Sequence, residues 1–314
     1  MISSLFLQIV AYASLLTYIV FSTVRVVRYA NMPVHLRWEL YPVAHENGHP
    51  SGGSYFENLD WWTKPIHKSL MGELKFMGSE IFFFTQYYRR KRSYWYFVYP
   101  FHIGLFLLIG WLVLLPIGVL TSLAGISVFA ISASVWGSTV YYLTLVVGVA
   151  GFVIASFGCI GLIIKRSMDK DLRLYTTPID YFKLSFVLAI LLSGLTAWGF
   201  FDLAFAAARE FMKGLITFTP AAQMNPVTYA NILLICLFLV YMPFTSMMHY
   251  IAKYFTYHRV RWDDQPILKR RDAEKKLKEL LNQPVSWSAP HIQSKKTWGN
   301  IAQGPQEDGT EKAE

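Results

Sequence analysis

Apolar residues in this chain gather into five long runs that are almost free of charge, with polar segments between them. The runs cover residues 5–24, 97–120, 139–164, 181–208 and 229–255. Because a helix needs about 20 consecutive apolar residues to cross a bilayer, each run predicts one membrane span. Residues 121–138 are also uncharged, but their glycines and serines favour a loop or a short interfacial helix over a sixth span. The predicted fold class is therefore all-α membrane protein, with five transmembrane helices in a bundle.

Lysines and arginines between the runs indicate the orientation of the bundle. They are frequent in the first loop, in the third loop and in the C-terminal tail, absent from the second loop, and limited in the fourth to Arg209 and Lys213. Since cytoplasmic loops carry an excess of Lys and Arg, this alternation predicts an outside N-terminus and a cytoplasmic C-terminus. The first run has no basic residue before it and is followed by Arg25 and Arg28, which indicates a retained helix rather than a signal peptide.

Composition agrees with a membrane protein and excludes several other classes. The chain is 54% hydrophobic, and its mean hydropathy is +0.33. The net charge of +9 does not indicate a nucleic-acid-binding protein, because the charged residues lie between and after the apolar runs. The two cysteines, Cys159 and Cys236, both lie inside apolar runs, and no C-x-x-C-H motif occurs. A disulfide scaffold, a cysteine-based iron–sulfur site and a covalent haem c are therefore excluded.

Two histidines lie within the apolar runs, His102 in the second and His249 in the fifth. If both runs are continuous helices, His102 lies about 8 Å and His249 about 9 Å from the cytoplasmic ends of their helices. Both imidazoles are then expected in the cytoplasmic leaflet, which is the geometry of a haem b with two axial histidines. The alternative is two independent polar side chains that make helix–helix hydrogen bonds. His258, just after the fifth run, is the fallback ligand to His249.

Three stretches of the chain resemble the gamma subunit of respiratory nitrate reductase. Residues 97–118, FVYPFHIGLFLLIGWLVLLPIG, resemble its haem-binding second helix, and residues 242–253, MPFTSMMHYIAK, resemble its fifth-helix haem motif. Residues 162–195 resemble the passage from its third helix to its fourth, including Thr176, Thr177 and Asp180. The resemblance extends over residues 96–260.

The N-terminal part resembles a related branch of this family. Residues 32–45, MPVHLRWELYPVAH, and the long loop after them resemble the cytochrome b subunits of sulfate-reducer-type transmembrane redox complexes. Members of that branch partner heterodisulfide-reductase-like iron–sulfur proteins. The resemblance implies a multi-pass cytochrome b subunit of the cytoplasmic (inner) membrane within a quinone-linked oxidoreductase complex. It would transfer electrons between a membrane quinone, expected to be menaquinone, and a cytoplasmic iron–sulfur subunit.

The number of haems follows from a departure from the family pattern. The gamma subunit has four haem-ligating histidines, and His102 and His249 match the pair on the cytoplasmic side. Leu112 and Asn231 stand at the positions of the outer pair. Because a leucine cannot ligate iron, the resemblance implies a single haem b, with His102 and His249 as its axial ligands.

Basic residues on the cytoplasmic side are the candidate contacts of the haem propionates. The candidates are Arg89, Arg90, Arg166 and Arg173, with Lys165 on the same face, and the alternative is that these charges only set the topology. Glycines such as Gly104 and Gly194 could admit the porphyrin, although ordinary helix packing also explains them. Pro243 is a candidate kink in the fifth span.

The chain is predicted to have four parts. Residues 1–28 form the first transmembrane helix, and residues 29–96 form a cytoplasmic loop with an amphipathic interfacial helix within residues 66–92. Residues 97–258 form the four-helix haem-binding core. Residues 259–314 form a cytoplasmic tail that docks a partner, helical at first and disordered from residue 284 until it binds.

Two further functions compete with electron transfer. One is a haem-free membrane anchor for a peripheral redox complex. The other is a small transporter, which is disfavoured because the second and third spans lack acidic groups and no internal repeat is evident.

Overall fold

The computed structural model describes residues 2–31, 59–60, 63, 70–260, 271–290 and 292–304. Within these residues the chain is mainly helical and forms no strand. The helices, in chain order, are α1 (Ile2–Asn31), α2 (Leu70–Phe82), α3 (Thr85–Arg90), α4 (Arg92–Leu123), α5 (Val135–Met168), α6 (Lys170–Tyr175), α7 (Pro178–Phe200), α8 (Ala206–Thr217), α9 (Pro226–Tyr241), α10 (His249–Val260), α11 (Arg271–Leu281) and α12 (Trp298–Ala302).

Five of the described helical segments are long and apolar enough to cross a membrane. They are Ser4–Asn31, Arg92–Leu123, Val135–Met168, Pro178–Phe200 and Pro226–Phe244. The all-α fold with five membrane spans is therefore confirmed. The outside N-terminus and the cytoplasmic C-terminus stay predictions.

The described chain divides into two compact units. The first comprises Met1–Phe21 and Met77–Ser246, and the second comprises Ser22–Phe76 and Met247–Glu314. The first unit holds α3 to α9, and the second holds α10 to α12. Within the first unit, the end where α4 begins and α5 ends carries Arg92, Lys165 and Arg166 and is called the basic end below.

Glycines bring α4 and α5 into close contact. A Cβ atom on Gly104 would overlap the backbone of Ala155, and one on Gly158 would overlap the backbone of Phe101. Close approach of two backbones is what small residues allow between membrane helices, where dispersion contacts stabilise association. Gly194 of α7 is likewise covered, here by the ring of Phe152. Helix packing therefore explains Gly104 and Gly194.

The fourth apolar run is shorter as a helix than the sequence predicts. α7 ends at Phe200, and a separate helix, α8, begins at Ala206. The Asp202 carboxylate accepts hydrogen bonds of 2.8 Å from the backbone N–H groups of Ala206 and Ala207. These bonds satisfy donors that a helix start leaves open, so Asp202 starts a new helix where hydropathy alone shows one run.

The fifth apolar run is not the single helix expected over residues 229–255. α9 ends at Tyr241, and 3₁₀ turns follow at Met242–Phe244 and Ser246–Met248, with Thr245 extended between them at φ −116° and ψ 173°. Pro243 supplies the reason, because proline has no backbone N–H and its ring disfavours continued α-helix. The predicted kink is thus a complete break, and α10 begins at His249.

The interfacial helix predicted within residues 66–92 is also two helices. Phe84 separates α2 from α3 in the left-handed region, at φ 51°. Residues 32–45, which carry the resemblance to the sulfate-reducer branch, lie outside the described residues, as does the side chain of His258.

The second unit contains an ordered part of the C-terminal tail. Isolated bridges join Pro284 to Thr297 and Ala289 to Ile292, and Val285 is buried. The expectation of disorder from residue 284 is therefore wrong for residues 284–290 and 292–304. Their backbone pairing supplies local structure that the polar composition of this segment does not predict.

Candidate haem site

His102 lies on α4 with a defined ring orientation. Its Nδ1 atom is 2.8 Å from the carbonyl oxygen of Val98, one turn earlier in the helix. Because a carbonyl can only accept a hydrogen bond, Nδ1 is the donor, and in the neutral imidazole Nε2 then carries the lone pair. The rings of Phe84 and Phe101 lie with their centroids 4.7 Å and 5.3 Å from the imidazole centroid. Metal-ligating histidines are commonly oriented in this way, through a bond made by the other nitrogen.

His249 is the first residue of α10 and lies beyond Phe244, where the fifth candidate span ends. Its side chain is exposed. The preceding residue, Met248, is 1% exposed, and its sulfur lies 4.0 Å from the Ser22 hydroxyl and 3.6 Å from the Tyr250 hydroxyl. The depth worked out for His249 assumed a continuous helix through residue 255, and that assumption is wrong. His102 belongs to the first unit and His249 to the second, so their pairing stays a prediction.

Among the four predicted propionate contacts, Arg166 has the most enclosed side chain. Its Nη2 atom donates a 2.9 Å hydrogen bond to the Tyr94 hydroxyl, and its Nε atom is buried without a hydrogen-bond partner among the described residues. A buried guanidinium donor of this kind suits a carboxylate. Arg89 and Arg90 on α3 and Arg173 on α6 are exposed.

A charged network at the start of α7 escaped the sequence analysis. The Asp180 carboxylate accepts from the Thr177 backbone N–H at 3.0 Å and from the Thr177 hydroxyl at 2.7 Å. Lys183 Nζ lies 2.6 Å from the other Asp180 oxygen and donates to the Ser246 hydroxyl at 2.7 Å. The spacing of Thr177, Asp180 and Lys183, three residues apart each time, was the available signal, since such residues share one helix face.

Neither residue at the two positions that match the outer histidine pair is placed to ligate iron. Leu112 is 42% exposed on the surface of α4. Asn231 is buried on α9, and its Nδ2 atom donates to the Ile190 carbonyl at 2.8 Å and to the Ser193 hydroxyl at 2.9 Å. Asn231 therefore joins α9 to α7.

Aromatic rings fill the interior of the bundle near these positions. Trp111, Phe152 and Phe205 are all buried, and their ring centroids lie 5.1–6.2 Å apart. Phe205 reaches this cluster from the segment before α8, with its backbone in the left-handed region at φ 53°. The three rings thereby join α4, α5 and the segment before α8.

Two charged groups outside the spans have perturbed pKa values. Hydrogen bonding from the Leu172 backbone N–H and then from Lys165 lowers the pKa of Asp169, whose carboxylate caps α6. Burial lowers the pKa of Arg209 on α8, and the nearby Asp202 carboxylate opposes that shift. Arg209 Nη2 donates to the Ala204 carbonyl at 3.2 Å.

Comparison with known proteins gives one match. A family model described as "Nitrate reductase gamma subunit" matches residues 84–265, which is more than half of the 314-residue chain. This family consists of membrane cytochrome b subunits in quinone-linked electron transfer. No curated protein and no solved structure matches the chain.

Proposed function

The chain belongs to the nitrate reductase gamma subunit family, and we propose that it transfers electrons through a single haem b held by His102 and His249. Its substrate is a membrane quinone, menaquinone by family expectation. Its partner is a cytoplasmic heterodisulfide-reductase-like iron–sulfur subunit, as the resemblance of the N-terminal part implies. The observation that carries the proposal is the hydrogen bond from His102 Nδ1 to the Val98 carbonyl, because metal-ligating histidines are commonly oriented by such a bond from the other ring nitrogen.

The side chains of this protein would bind and orient the cofactor. A bound haem supplies a one-electron step between the two-electron quinone and an iron–sulfur cluster. His102 and His249 provide neutral imidazole nitrogens, and the buried Nε of Arg166 is a donor for a propionate carboxylate. Arg89, Arg90 and Arg173 add exposed positive charge, which suits either propionate binding or the membrane surface.

A single haem is the proposed number. Leu112 has no ligating atom, and the Asn231 amide is engaged with α7.

A haem-free membrane anchor for a peripheral redox complex is the second candidate. The observation that favours it is the exposed position of His249, beyond the fifth candidate span. Both candidate functions predict a folded five-span protein, so the presence or absence of bound haem distinguishes them.

An absorbance spectrum of the purified protein tests the proposal. We expect a reduced-minus-oxidised spectrum of a b-type haem with about one haem per chain. His102→Ala and His249→Ala should each abolish the spectrum, because each removes an axial ligand, whereas the matched control His258→Ala should retain it. A well-folded wild-type protein without a chromophore would support the anchor, and two haems per chain would refute the proposed number.

A further inference from the structure

We propose that Lys183 is a positioning residue that ties the break in the fifth span to α7 and thereby sets the position of His249. This inference rests on the proposed function, in which His249 is an axial ligand. It adds a role for the ion pair of Lys183 with Asp180 and for the hydroxyl of Ser246.

The break in the fifth span is a place where the backbone needs an external anchor. Between Tyr241 and His249 the chain forms two 3₁₀ turns and one extended residue, Thr245. The Thr245 N–H donates to the Met242 carbonyl at 3.1 Å, which closes a local turn. A broken helix lacks the continuous hydrogen-bond ladder that fixes the direction of an intact helix, so neighbouring helices must fix it.

Lys183 provides such an anchor from α7. Its Nζ atom donates to the Ser246 hydroxyl at 2.7 Å across 63 residues of sequence. Ser246 precedes His249 by three residues, and the intervening Met248 is 1% exposed. The anchor therefore acts on the peptide segment that leads directly into the proposed ligand.

The lysine is itself held in place. Its ammonium is paired with the Asp180 carboxylate at 2.6 Å, and Thr177 holds that carboxylate through two further hydrogen bonds. The Lys183 side chain is 12% exposed. A charge that served only to set the topology would reach into water, whereas a buried charge needs a partner and satisfied hydrogen bonds. The ion pair with Asp180 therefore holds the Lys183 ammonium next to Ser246, within the break of the fifth span.

Two substitutions test this role. Lys183→Met removes the ammonium and keeps a long apolar side chain, and Ser246→Ala removes only the hydroxyl that accepts the bond. Lys213→Met is the matched control, because Lys213 also pairs with an acidic residue three positions earlier, Glu210 at 3.9 Å, outside the break. Lys183→Arg keeps the charge and should restore part of any loss.

Three measurements are made on the purified full chain. Amide hydrogen exchange of the peptide covering residues 242–255 reports on the anchoring of the break, the rate and extent of haem loss to an excess of a haem-accepting protein give the relative haem affinity, and a redox titration gives the midpoint potential. We expect faster exchange and a shifted potential in Lys183→Met and Ser246→Ala. Haem affinity should weaken by about 10-fold to 100-fold, as is typical when a group that orients a metal ligand is removed. Lys213→Met should match the wild type in all three.

The outcomes separate this inference from the proposed function. A wild-type protein without haem overturns the proposed function and the positioning role with it. A wild-type protein that binds haem, with exchange of residues 242–255 unchanged in both variants, overturns the inference alone. Faster exchange with unchanged haem affinity and potential also overturns it, because Ser246 would then be anchored without any effect on the ligand.

Discussion

Replacing Asn231 with alanine tests whether the half of the bundle opposite the basic end is purely structural. The substitution removes two hydrogen bonds from the Asn231 amide, to the Ile190 carbonyl and to the Ser193 hydroxyl. The groups left behind keep a bond, because the Ser193 hydroxyl also donates to the Ile190 carbonyl at 3.0 Å. Hydrogen bonds between membrane helices average about 0.6 kcal/mol each, so we expect a loss of about 1 kcal/mol in the free energy of unfolding.

The assay combines unfolding with cofactor quantification. Titration of mixed micelles with a denaturing detergent, followed by circular dichroism, gives the loss of stability, and the reduced-minus-oxidised spectrum gives the haem content per chain. Asn225→Ala is the matched control on the same helix. Its side chain caps α9 by accepting from the N–H groups of Val227 and Thr228, and loss of a cap also costs about 1 kcal/mol. Both variants should unfold slightly more easily and keep the full haem content.

A lower haem content in Asn231→Ala, with normal haem content in Asn225→Ala, would refute this reasoning. It would mean that the position matching an outer histidine still takes part in binding the cofactor. A loss of stability several times larger than about 1 kcal/mol would contradict the structural account in another way, because the remaining bond from Ser193 could not then be compensating.

Two other predictions concern helix packing and charge. Gly158→Ala should weaken the contact of α4 with α5 by about 1–3 kcal/mol, because its Cβ would overlap the Phe101 backbone. Gly199→Ala, with nothing within 4 Å of its Cβ, should not destabilise the bundle, and equal unfolding curves for the two variants would contradict the prediction. Since the folded-state pKa of Asp169 is lowered, its contribution to stability is present above the unfolded pKa, about 4, and is lost as the pH falls through the folded value. Wild type should therefore melt above Asp169→Asn at pH 7 and approach it in acid, and a pH-independent difference would be inconsistent with that assignment.

The membrane spans could be predicted because their cause is local in the sequence. Length and apolarity decide whether a segment can cross a bilayer, and both are visible in the run of residues. The ends of the helices were less predictable. α7 stops at Phe200, Asp202 accepts hydrogen bonds from the first N–H groups of α8, and the fifth span breaks around Pro243. In both cases apolar residues continue past the end, so hydropathy does not detect it.

In the candidate site, too, features that depend on one segment could be predicted from the sequence, and features that depend on contacts between distant segments could not. His102 was found because it is an isolated imidazole in an apolar run, and its bond to Val98 lies within one helical turn. Lys183 was missed, since its bond to Ser246 joins two distant helices and nothing in either segment alone reveals it. The depth predicted for His249 was wrong for a related reason: it depended on an unbroken helix, and only the observed backbone shows the break.

The polar side chains within the spans differ in kind between the two ends of the bundle. Near the basic end are His102, with an oriented imidazole, and the Lys183–Asp180 pair. Towards the opposite end, Asn231 joins two helices and aromatic rings fill the interior.

Electron transfer across the membrane through haems would need a second haem near the opposite end. Neither Leu112 nor Asn231, at the positions of the outer histidine pair, provides a ligand for it. Under the proposed function, the quinone and the iron–sulfur partner therefore exchange electrons with the protein on the same, basic side. Turnover in sealed vesicles should then generate no membrane potential, and a potential that develops with quinol oxidation would contradict the single-haem arrangement.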